Sequence, residues 1–258
     1  MASILFRIED SIGFITFNRP EKYNAFNREM ALALQEVLDE CSNDKTIRCV
    51  YITGAGKAFC AGQDLEEVVD PHGPGMNRIL SEHFNPIILK IQRMQKPVIA
   101  AVNGVAAGAG ANIALICDIV VATHSASFIQ AFNKIGLIPD SGGTFTLPRL
   151  IGLQKASAIM MLGDKIMAEE AERMGMIYKW FADDIFEQAA KQIAAKLADL
   201  PTLGLALTKQ ALLWSDSHTL REQLENEDKL QQRAAASKDF KEGVKAFLEK
   251  RKPIFVGE

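Results

Sequence analysis

The sequence predicts an α/β fold that is followed by a purely helical segment. Over residues 1–195, short apolar runs typical of buried strands alternate with longer segments whose apolar residues recur at helical spacing. After residues 200–201 (Leu-Pro) the pattern is helical and charged, and no strand is predicted there. We therefore expect two domains, an α/β core over residues 1–195 and a C-terminal helical region over residues 196–258.

The predicted elements begin with a hairpin formed by residues 4–9 and 12–17, which turns at residues 10–11. Pro86 predicts a kink within a helix, and residues 57–65, rich in small side chains, are expected to form a loop. The same patterns predict further strands at 49–53, 97–102, 118–122 and 127–128, and helices at 27–41, 77–94, 109–117, 144–150, 154–162, 168–174, 184–198 and within 202–250.

Composition excludes several classes of function. The 258 residues carry a net charge of −3 with both signs interspersed, which does not suggest a nucleic-acid surface. The N-terminus has no signal-peptide pattern, and the longest apolar run, near 98–107, is too short and too rich in glycine to cross a membrane. We expect a cytoplasmic protein with no nucleic-acid or membrane partner.

Neither cysteine nor histidine spacing indicates a metal site. The four cysteines show no paired spacing, so we expect reduced, buried thiols. The four histidines show no ligand spacing either, and no bound metal is predicted.

The most informative segment is an apolar strand that runs into small residues and then into a helix. Residues 97–102 are followed by Asn-Gly-Val-Ala-Ala-Gly-Ala-Gly-Ala at 103–111. A strand that ends in this way leaves backbone N–H groups free at the start of the helix, where they can stabilise negative charge on an oxygen. Further on, Asp140 lies in the glycine-rich segment 136–144. An oxyanion site and a single acid suit proton transfer next to a carbonyl.

Three more common functional motifs are incomplete or absent in the sequence. The segment 54–57 does not form a phosphate loop, because Tyr51 replaces its first glycine and Ala58 replaces the required Ser or Thr. The segment 108–110 lacks the third glycine of a dinucleotide fingerprint, where Ile113 stands. The sequence also has no Gly-x-Ser-x-Gly elbow.

An ordered set of motifs over nearly the whole chain resembles the enoyl-CoA hydratase/isomerase (crotonase) superfamily. The resemblance implies a spiral of ββα turns with a C-terminal helical region used in oligomerisation. It also implies an acyl-CoA thioester substrate, with no cofactor apart from the coenzyme A of that substrate, and a homotrimer or a dimer of trimers. The matching segments are 18–20, 24–27, 56–65, 96–104, 108–110, 117–119, 136–139 and 142–144.

The resemblance also implies the roles of individual residues. The peptide N–H groups of Ala61 and Ala109 would hold the thioester oxygen, and Asp140 would be the catalytic acid and base. The substrate and CoA contacts that it implies are Lys22, Ala25, Gly62, Gln63, Asp64, Leu65, Gly108, Asn112, Phe132, Phe247 and Lys250.

The reaction is indicated by two missing carboxylates. Hydratases of the superfamily use two glutamates, and the corresponding positions hold Asn112 and Phe132, which handle the protons of water poorly. Asp140 instead resembles the isomerase branch, and residues 136–149 are most similar to ring-1,2-epoxyphenylacetyl-CoA isomerases. The resemblance therefore implies an isomerase that shifts a double bond from 3-enoyl-CoA to 2-enoyl-CoA, or that isomerises a ring epoxide.

Several alternatives stay open at this point. Asp140 could be the N-cap of a helix that begins near Gly142. His83 could line the acyl pocket or be a partly exposed helical histidine, and Asn112 could bond near the acyl group or simply belong to the first turn of its helix. The chain could also be a hydratase that uses another acid, or a non-catalytic acyl-CoA-binding homologue.

Overall fold

The computed structural model describes residues 2–258 and confirms the α/β class with C-terminal helices. The strands are β1 Ile4–Glu9, β2 Ile12–Phe17, β3 Cys49–Gly54, β4 Ala58–Cys60, β5 Val98–Val102, β6 Val105–Ala107, β7 Ile119–Thr123, β8 Ser127–Ile129, β9 Lys165–Met167 and β10 Lys179–Phe181. The helices of the core are α1 Arg28–Asn43, α2 Leu65–Val69, α3 Gly75–Arg78, α4 Asn85–Arg93, α5 Ala109–Leu115, α6 Gly143–Ile151, α7 Leu153–Leu162, α8 Ala168–Arg173 and α9 Phe186–Asp199.

Successive turns of the chain place one strand in each of two sheets. The larger sheet has the order β1-β2-β3-β5-β7-β10, and the smaller has the order β4-β6-β8-β9. Pairing is parallel except at β1–β2 and β8–β9. Because β3 is followed by β4, β5 by β6 and β7 by β8, the expected spiral of ββα turns is confirmed.

Apolar layers pack against both faces of the larger sheet. The main core joins one face to α1, α4 and α5, and α9 covers part of the other face. All five residues of β5 are buried, as expected for a central parallel strand whose sequence is apolar throughout. This burial holds the end of β5, and therefore the small-residue segment after it, in a fixed place.

The sequence missed several short strands. Residues 57–65, predicted as a loop, contain β4, so that prediction is wrong for residues 58–60. Strands β6, β9 and β10 were also missed, because three residues are too few to show an alternating pattern. These short strands nevertheless matter, since β4 and β6 carry the two loops of the candidate site.

The predicted helix 77–94 is interrupted rather than continuous. A π-helical segment, Ile79–Phe84, separates α3 from α4, and Asn85 N donates to Leu80 O five residues back. Pro86 follows at the start of α4, where its missing N–H is tolerated. The irregularity expected near Pro86 is therefore present as a π-helix, a form often found at functional sites.

Three further helices form the C-terminal region: α10 Thr202–Ser215, α11 Leu220–Ala235 and α12 Lys238–Leu248. Arg48 ties this region to the core, since its guanidinium donates to Leu200 O (2.7 Å), Thr202 Oγ1 (3.0 Å) and Phe255 O (2.8 Å). The boundary predicted after residue 195 falls inside α9, and the division into two domains stays a prediction. None of the helices in residues 2–258 is both long and apolar enough to cross a membrane.

Candidate active site

Two backbone loops lie side by side where β4 and β6 end. These strands pair in parallel, so the residues after them, 61–63 and 108–110, leave the smaller sheet at the same edge. Gly62, with φ of +92°, permits a close approach: a Cβ there would lie 3.0 Å from Ala107 O and 3.3 Å from Ala109 N. The two loops that the resemblance assigns to one oxygen are therefore adjacent.

The available donor of the first loop is Gln63 rather than Ala61. The Ala61 N–H donates to Tyr23 O over 3.0 Å, so the assignment of Ala61 is wrong. Phe26 forms a parallel bridge with Gln63 through the two flanking peptide groups, at 2.7 and 2.8 Å. Gln63 lies between these two bonded peptide groups, so its own N–H points away from Phe26. The Gln63 N–H has no hydrogen-bond partner within residues 2–258.

In the second loop the geometry leaves the predicted donor, Ala109, available, and its role in binding an oxyanion stays a prediction. Gly108 is the N-cap residue of α5, and its φ of +52° turns the chain into the helix. Ala109 is the first helical residue, whose N–H has no acceptor inside the helix. Backbone donors of this kind, in a largely buried place, can stabilise an oxyanion without reorganising during the reaction.

Asp140 is a partly buried acid that does not cap a helix. The N-cap of α6 is Gly142, and no side chain among residues 2–258 caps its first turn, so the N-cap interpretation is wrong. Asp140 Oδ1 accepts instead from Ser141 Oγ at 2.8 Å. Burial raises the pKa of Asp140 above its usual range, and the bond from Ser141 offsets part of this rise. Such a carboxyl is better suited to proton transfer than a solvated one.

Asn112 holds the turn that carries Asp140. Its Nδ2 donates to Asp140 O (2.8 Å), and its Oδ1 accepts from Gln130 Nε2 (2.8 Å). Asn112 is only 1% exposed, and a Cβ on Gly143 would lie 2.4 Å from its amide nitrogen. Both ends of the amide therefore bond to protein groups, so Asn112 positions the acid. Sequence reasoning missed Gln130, which has no motif of its own.

Phe132 brings an apolar surface to the start of α5. It is buried on a short 3-10 helix, Ala131–Ile135, and a Cβ on Gly108 would lie 3.7 Å from its ring. It therefore contributes an apolar wall close to the Ala109 donor. Ile138, two residues before Asp140, is by contrast 81% exposed, so it contributes little to the burial of that acid.

Three further predicted CoA contacts, Ala25, Asp64 and Leu65, lie beside the first loop. Asp64 is buried, is the N-cap of α2 through Glu66 N (3.1 Å) and forms an ion pair with Arg19 at 2.9 Å. Arg19 also donates to Ala25 O (2.5 Å). Leu65 begins α2 and is exposed. The Asp64 side chain thus fixes the shape of this loop.

The remaining predicted CoA contacts are at the surface. Lys22 Nζ donates to Glu66 Oε1 at 2.7 Å, and this hydrogen bond raises the pKa of Lys22. Phe247 is 83% exposed near the end of α12, and Lys250 follows it. Helix α12 packs against α11, so both residues belong to the C-terminal helical region.

His83 is completely buried on the π-helical segment, which overturns its interpretation as a partly exposed helical residue. Its Nε2 lies 3.1 Å from Arg28 Nη1. Arg28 in turn bonds to Glu67 and Glu82, and Glu67 accepts from the Gln63 side chain. This network, reaching from the π-helix to the first donor loop, has no local sequence signal that could have predicted it.

No cluster of three His, Cys, Asp or Glu side chains within residues 2–258 could hold a metal ion. The polar groups at the site are two backbone donors and one partly buried acid. They can bind a carbonyl oxygen and move a proton on a neighbouring carbon. The fold and this site together indicate a class of enzymes that act on carbonyl compounds.

The comparisons with known proteins place the chain within that class. A family model described as enoyl-CoA hydratase/isomerase matches residues 7–258, and the chain belongs to this family. It is 47% identical to the 1,2-epoxyphenylacetyl-CoA isomerase of Escherichia coli (strain K12), with all of both chains covered. It is 35% identical to the 2,3-dehydroadipyl-CoA hydratase of the same organism, again over 100% of both chains.

Solved structures agree with the fold. The crystal structure of enoyl-CoA hydratase from Bacillus anthracis superposes with a TM-score of 0.93 at 32% identity, covering 99% of this chain and 100% of that one. The chain is therefore an enzyme of the enoyl-CoA hydratase/isomerase family, most like the 1,2-epoxyphenylacetyl-CoA isomerase among the relatives described here.

Proposed function

We propose that this enzyme isomerises acyl-CoA thioesters by single-carboxylate proton transfer. Asp140 removes a proton from C2 of a 3-enoyl thioester, and the electron pair moves onto the thioester oxygen. The N–H groups of Gln63 and Ala109 bind that oxygen while the dienolate exists. Asp140 then returns the proton to C4, and the double bond ends between C2 and C3. Losing one such donor typically costs ~2.7–4 kcal/mol of transition-state stabilisation.

A ring epoxide is the second substrate type that this arrangement suits. The donors would hold the thioester oxygen in the same way while the ring expands to an oxepin, a rearrangement that neither adds nor removes atoms. The 47% identity to a 1,2-epoxyphenylacetyl-CoA isomerase supports this choice and makes a role in phenylacetate breakdown part of the proposal.

The proposal depends chiefly on the environment of the Asp140 carboxyl group. It is partly buried, its pKa is raised and it caps no helix. Asn112, which holds its backbone, lies on the first turn of α5, the helix that begins with the Ala109 donor. Acid and donor are thus fixed to the same helix.

A hydratase fits the site less well. The two positions that resemble the catalytic glutamates of hydratases hold Asn112 and Phe132. The Asn112 amide already bonds to Asp140 O and to Gln130, and the Phe132 ring packs near Gly108. Neither can take a proton from water and return it.

The test follows the absorbance of the conjugated thioester. Purified enzyme should convert a 3-enoyl-CoA into its 2-enoyl isomer, with absorbance rising, and Asp140→Asn should abolish most of this rise. A fall in absorbance on adding 2-enoyl-CoA, at a rate above that of isomerisation, would identify a hydratase instead. Tight binding of both thioesters without turnover of a linear 3-enoyl or ring-epoxide substrate would identify a non-catalytic acyl-CoA-binding protein.

The CoA part of the substrate is proposed to lie along the first loop. Lys22 would exchange its bond to Glu66 for a phosphate, which is feasible because this ion pair is solvent-exposed. Around it, Ala25, Gly62, Asp64 and Leu65 supply the surface for the nucleotide. Apart from this CoA, no cofactor is proposed.

We also propose a homotrimer or a dimer of trimers. Helices α10–α12 and the chain end expose large apolar side chains, a pattern that marks association surfaces; they include Leu212, Leu220, Leu224, Phe240, Phe247, Leu248 and Ile254. A neighbouring subunit could thereby bring Phe247 and Lys250 to a CoA site. Light scattering during size-exclusion chromatography tests this, and a monomer would contradict it.

A cytoplasmic location is part of the same proposal. All four cysteines are free and buried, which suits a reducing compartment. Fractionation of the source cells would test the location.

A further inference from the structure

The buried ring of His83 has a defined tautomer. Its Nε2 lies 3.1 Å from Arg28 Nη1, and a guanidinium can only donate hydrogen bonds. Nε2 must therefore accept, and the proton of the neutral ring is on Nδ1. Burial lowers the pKa of His83, which favours this neutral form.

The resulting Nδ1–H is a buried donor with no hydrogen-bond partner within residues 2–258. Buried polar groups are nearly always satisfied, so an unpaired donor on a fully buried residue requires an explanation. One explanation is that the acceptor belongs to a ligand.

His83 is linked through neighbouring residues to both halves of the candidate site. On one side, Arg28 N and the Gln63 side chain both donate to the Glu67 carboxylate at 2.8 Å, which links the ring to the first donor loop. The Gln63 Oε1 atom of that loop is a second buried polar atom that has no hydrogen-bond partner in the described part of the chain.

On the other side, the helical segment continues to Ile88, which contacts the turn of the catalytic acid. A Cβ on Gly142 would lie 3.5 Å from its Cγ2 atom. Phe84, next to His83, packs against Phe26 with ring centroids 5.8 Å apart, and Phe26 pairs with Gln63. The unpaired donor thus belongs to a segment that contacts both halves.

We propose that the His83 Nδ1–H is a specificity-determining donor that binds an oxygen atom of the acyl group. The inference rests on the proposed function and names its substrate class: acyl-CoA thioesters that carry an oxygen near the reacting carbons, such as a ring epoxide. An epoxide oxygen can only accept a hydrogen bond, which matches this donor. A hydrocarbon acyl group would leave the donor unpaired, and the site should discriminate against it.

The test measures binding, so it does not depend on turnover. Dissociation constants of 2-hydroxyphenylacetyl-CoA and phenylacetyl-CoA, which differ by one oxygen, are measured by calorimetry. The wild type should prefer the hydroxylated thioester by roughly tenfold, the usual worth of one hydrogen bond. His83→Phe should bind both thioesters with similar affinity.

Two further variants distinguish the contributions of the two ring nitrogens to binding. His83→Asn places an amide N–H near the position of Nδ1 and should keep the preference. His83→Gln places its amide near Nε2, retains an acceptor for Arg28 and should lose the preference. The Gln variant shows that a loss does not come from disturbing Arg28, and the Asn variant shows that the substituted protein still folds and binds.

A wild type without the preference, or a His83→Phe variant that retains it, would overturn the inference. These outcomes are distinct from failure of the proposed function. If the proposed function is wrong, the wild-type enzyme turns over neither 3-enoyl-CoA nor ring-epoxide thioesters, whatever the ratio of the two dissociation constants.

Discussion

The two halves of the candidate active site are held in place by different means. The donor half, at Gln63 and Ala109, is fixed by backbone pairing and by glycines that allow the main chain to approach closely. The acid half, at Asp140, is fixed by the side-chain amide of Asn112, which Gln130 holds in turn. Side-chain substitutions should therefore disable the acid half readily, whereas the donor half should respond mainly to changes that displace its backbone.

The largest effect is expected for Asp140→Asn. Turnover of a 3-enoyl-CoA should fall by ~10²–10⁴, the usual worth of general acid–base catalysis, because an amide cannot carry the proton. Binding of CoA thioesters should change little, since the donor half is untouched. The exposed Asp184, just before α9, gives a control: Asp184→Asn should keep wild-type turnover. Wild-type-like isomerase rates in Asp140→Asn would refute the assignment of the acid.

The next effect tests the donor half through Gly62→Ala. The added Cβ would lie 3.0 Å from Ala107 O, a backbone atom that cannot move aside cheaply, and would force the two loops apart. A misplacement of about 1 Å can cost about 10²-fold in rate. Steady-state kinetics should show this loss in kcat.

Gly152→Ala is the matched control for that substitution. Gly152 also has a positive φ, +77°, but a Cβ there meets nothing within 4 Å. It therefore reproduces the backbone strain without displacing a loop. Equal kcat losses in the two variants would show that loop spacing is unimportant.

These two halves also differ in how far the sequence predicts them. Glycine-rich motifs located both donor loops, yet the choice between Ala61 and Gln63 depends on pairing with Tyr23 and Phe26, some 40 residues earlier in the chain. Local sequence does not encode such pairing. The α/β class and the long helices were predictable because their patterns are local, whereas three-residue strands such as β4 were not.

The acid half was also only partly predictable from the local sequence. The family position identified Asp140, but the local pattern favoured an N-cap, which the left-handed Gly142 excludes by taking that role. The function of Asn112 depends on Gln130, a contact between residues 18 positions apart that only the fold reveals.

A smaller effect is expected for Asn112→Ala. Losing the bond to Asp140 O frees the turn, and kcat should fall by roughly tenfold, the equivalent of about 1.4 kcal/mol. Asn133→Ala is the control, because Asn133 likewise donates to a backbone oxygen, Met161 O at 2.8 Å, but is exposed. If both variants retain full kcat, the turn does not need the amide, and the proposed contrast between the halves is wrong.

The smallest expected effect is on the free energy of unfolding. Asp140→Asn should raise it, although the same substitution lowers turnover. Burial raises the folded-state pKa of Asp140, so the folded protein binds this proton more tightly than the unfolded chain. The linked stabilisation is present below the unfolded pKa and is lost as pH rises through the folded pKa. At neutral pH the ionised carboxyl should therefore destabilise the acid half.

Asp140→Asn should accordingly raise the free energy of unfolding at pH 7 by about 1 kcal/mol, a gain typical of relieving strain at an active site. The gain should shrink towards the ordinary aspartate pKa, about 4, where the wild-type carboxyl becomes protonated. Urea unfolding at both pH values, with Asp184→Asn alongside, measures this difference. A wild type as stable as Asp140→Asn at pH 7 would mean that Asp140 is fully solvated. The acid half would then lack the raised pKa on which proton transfer depends.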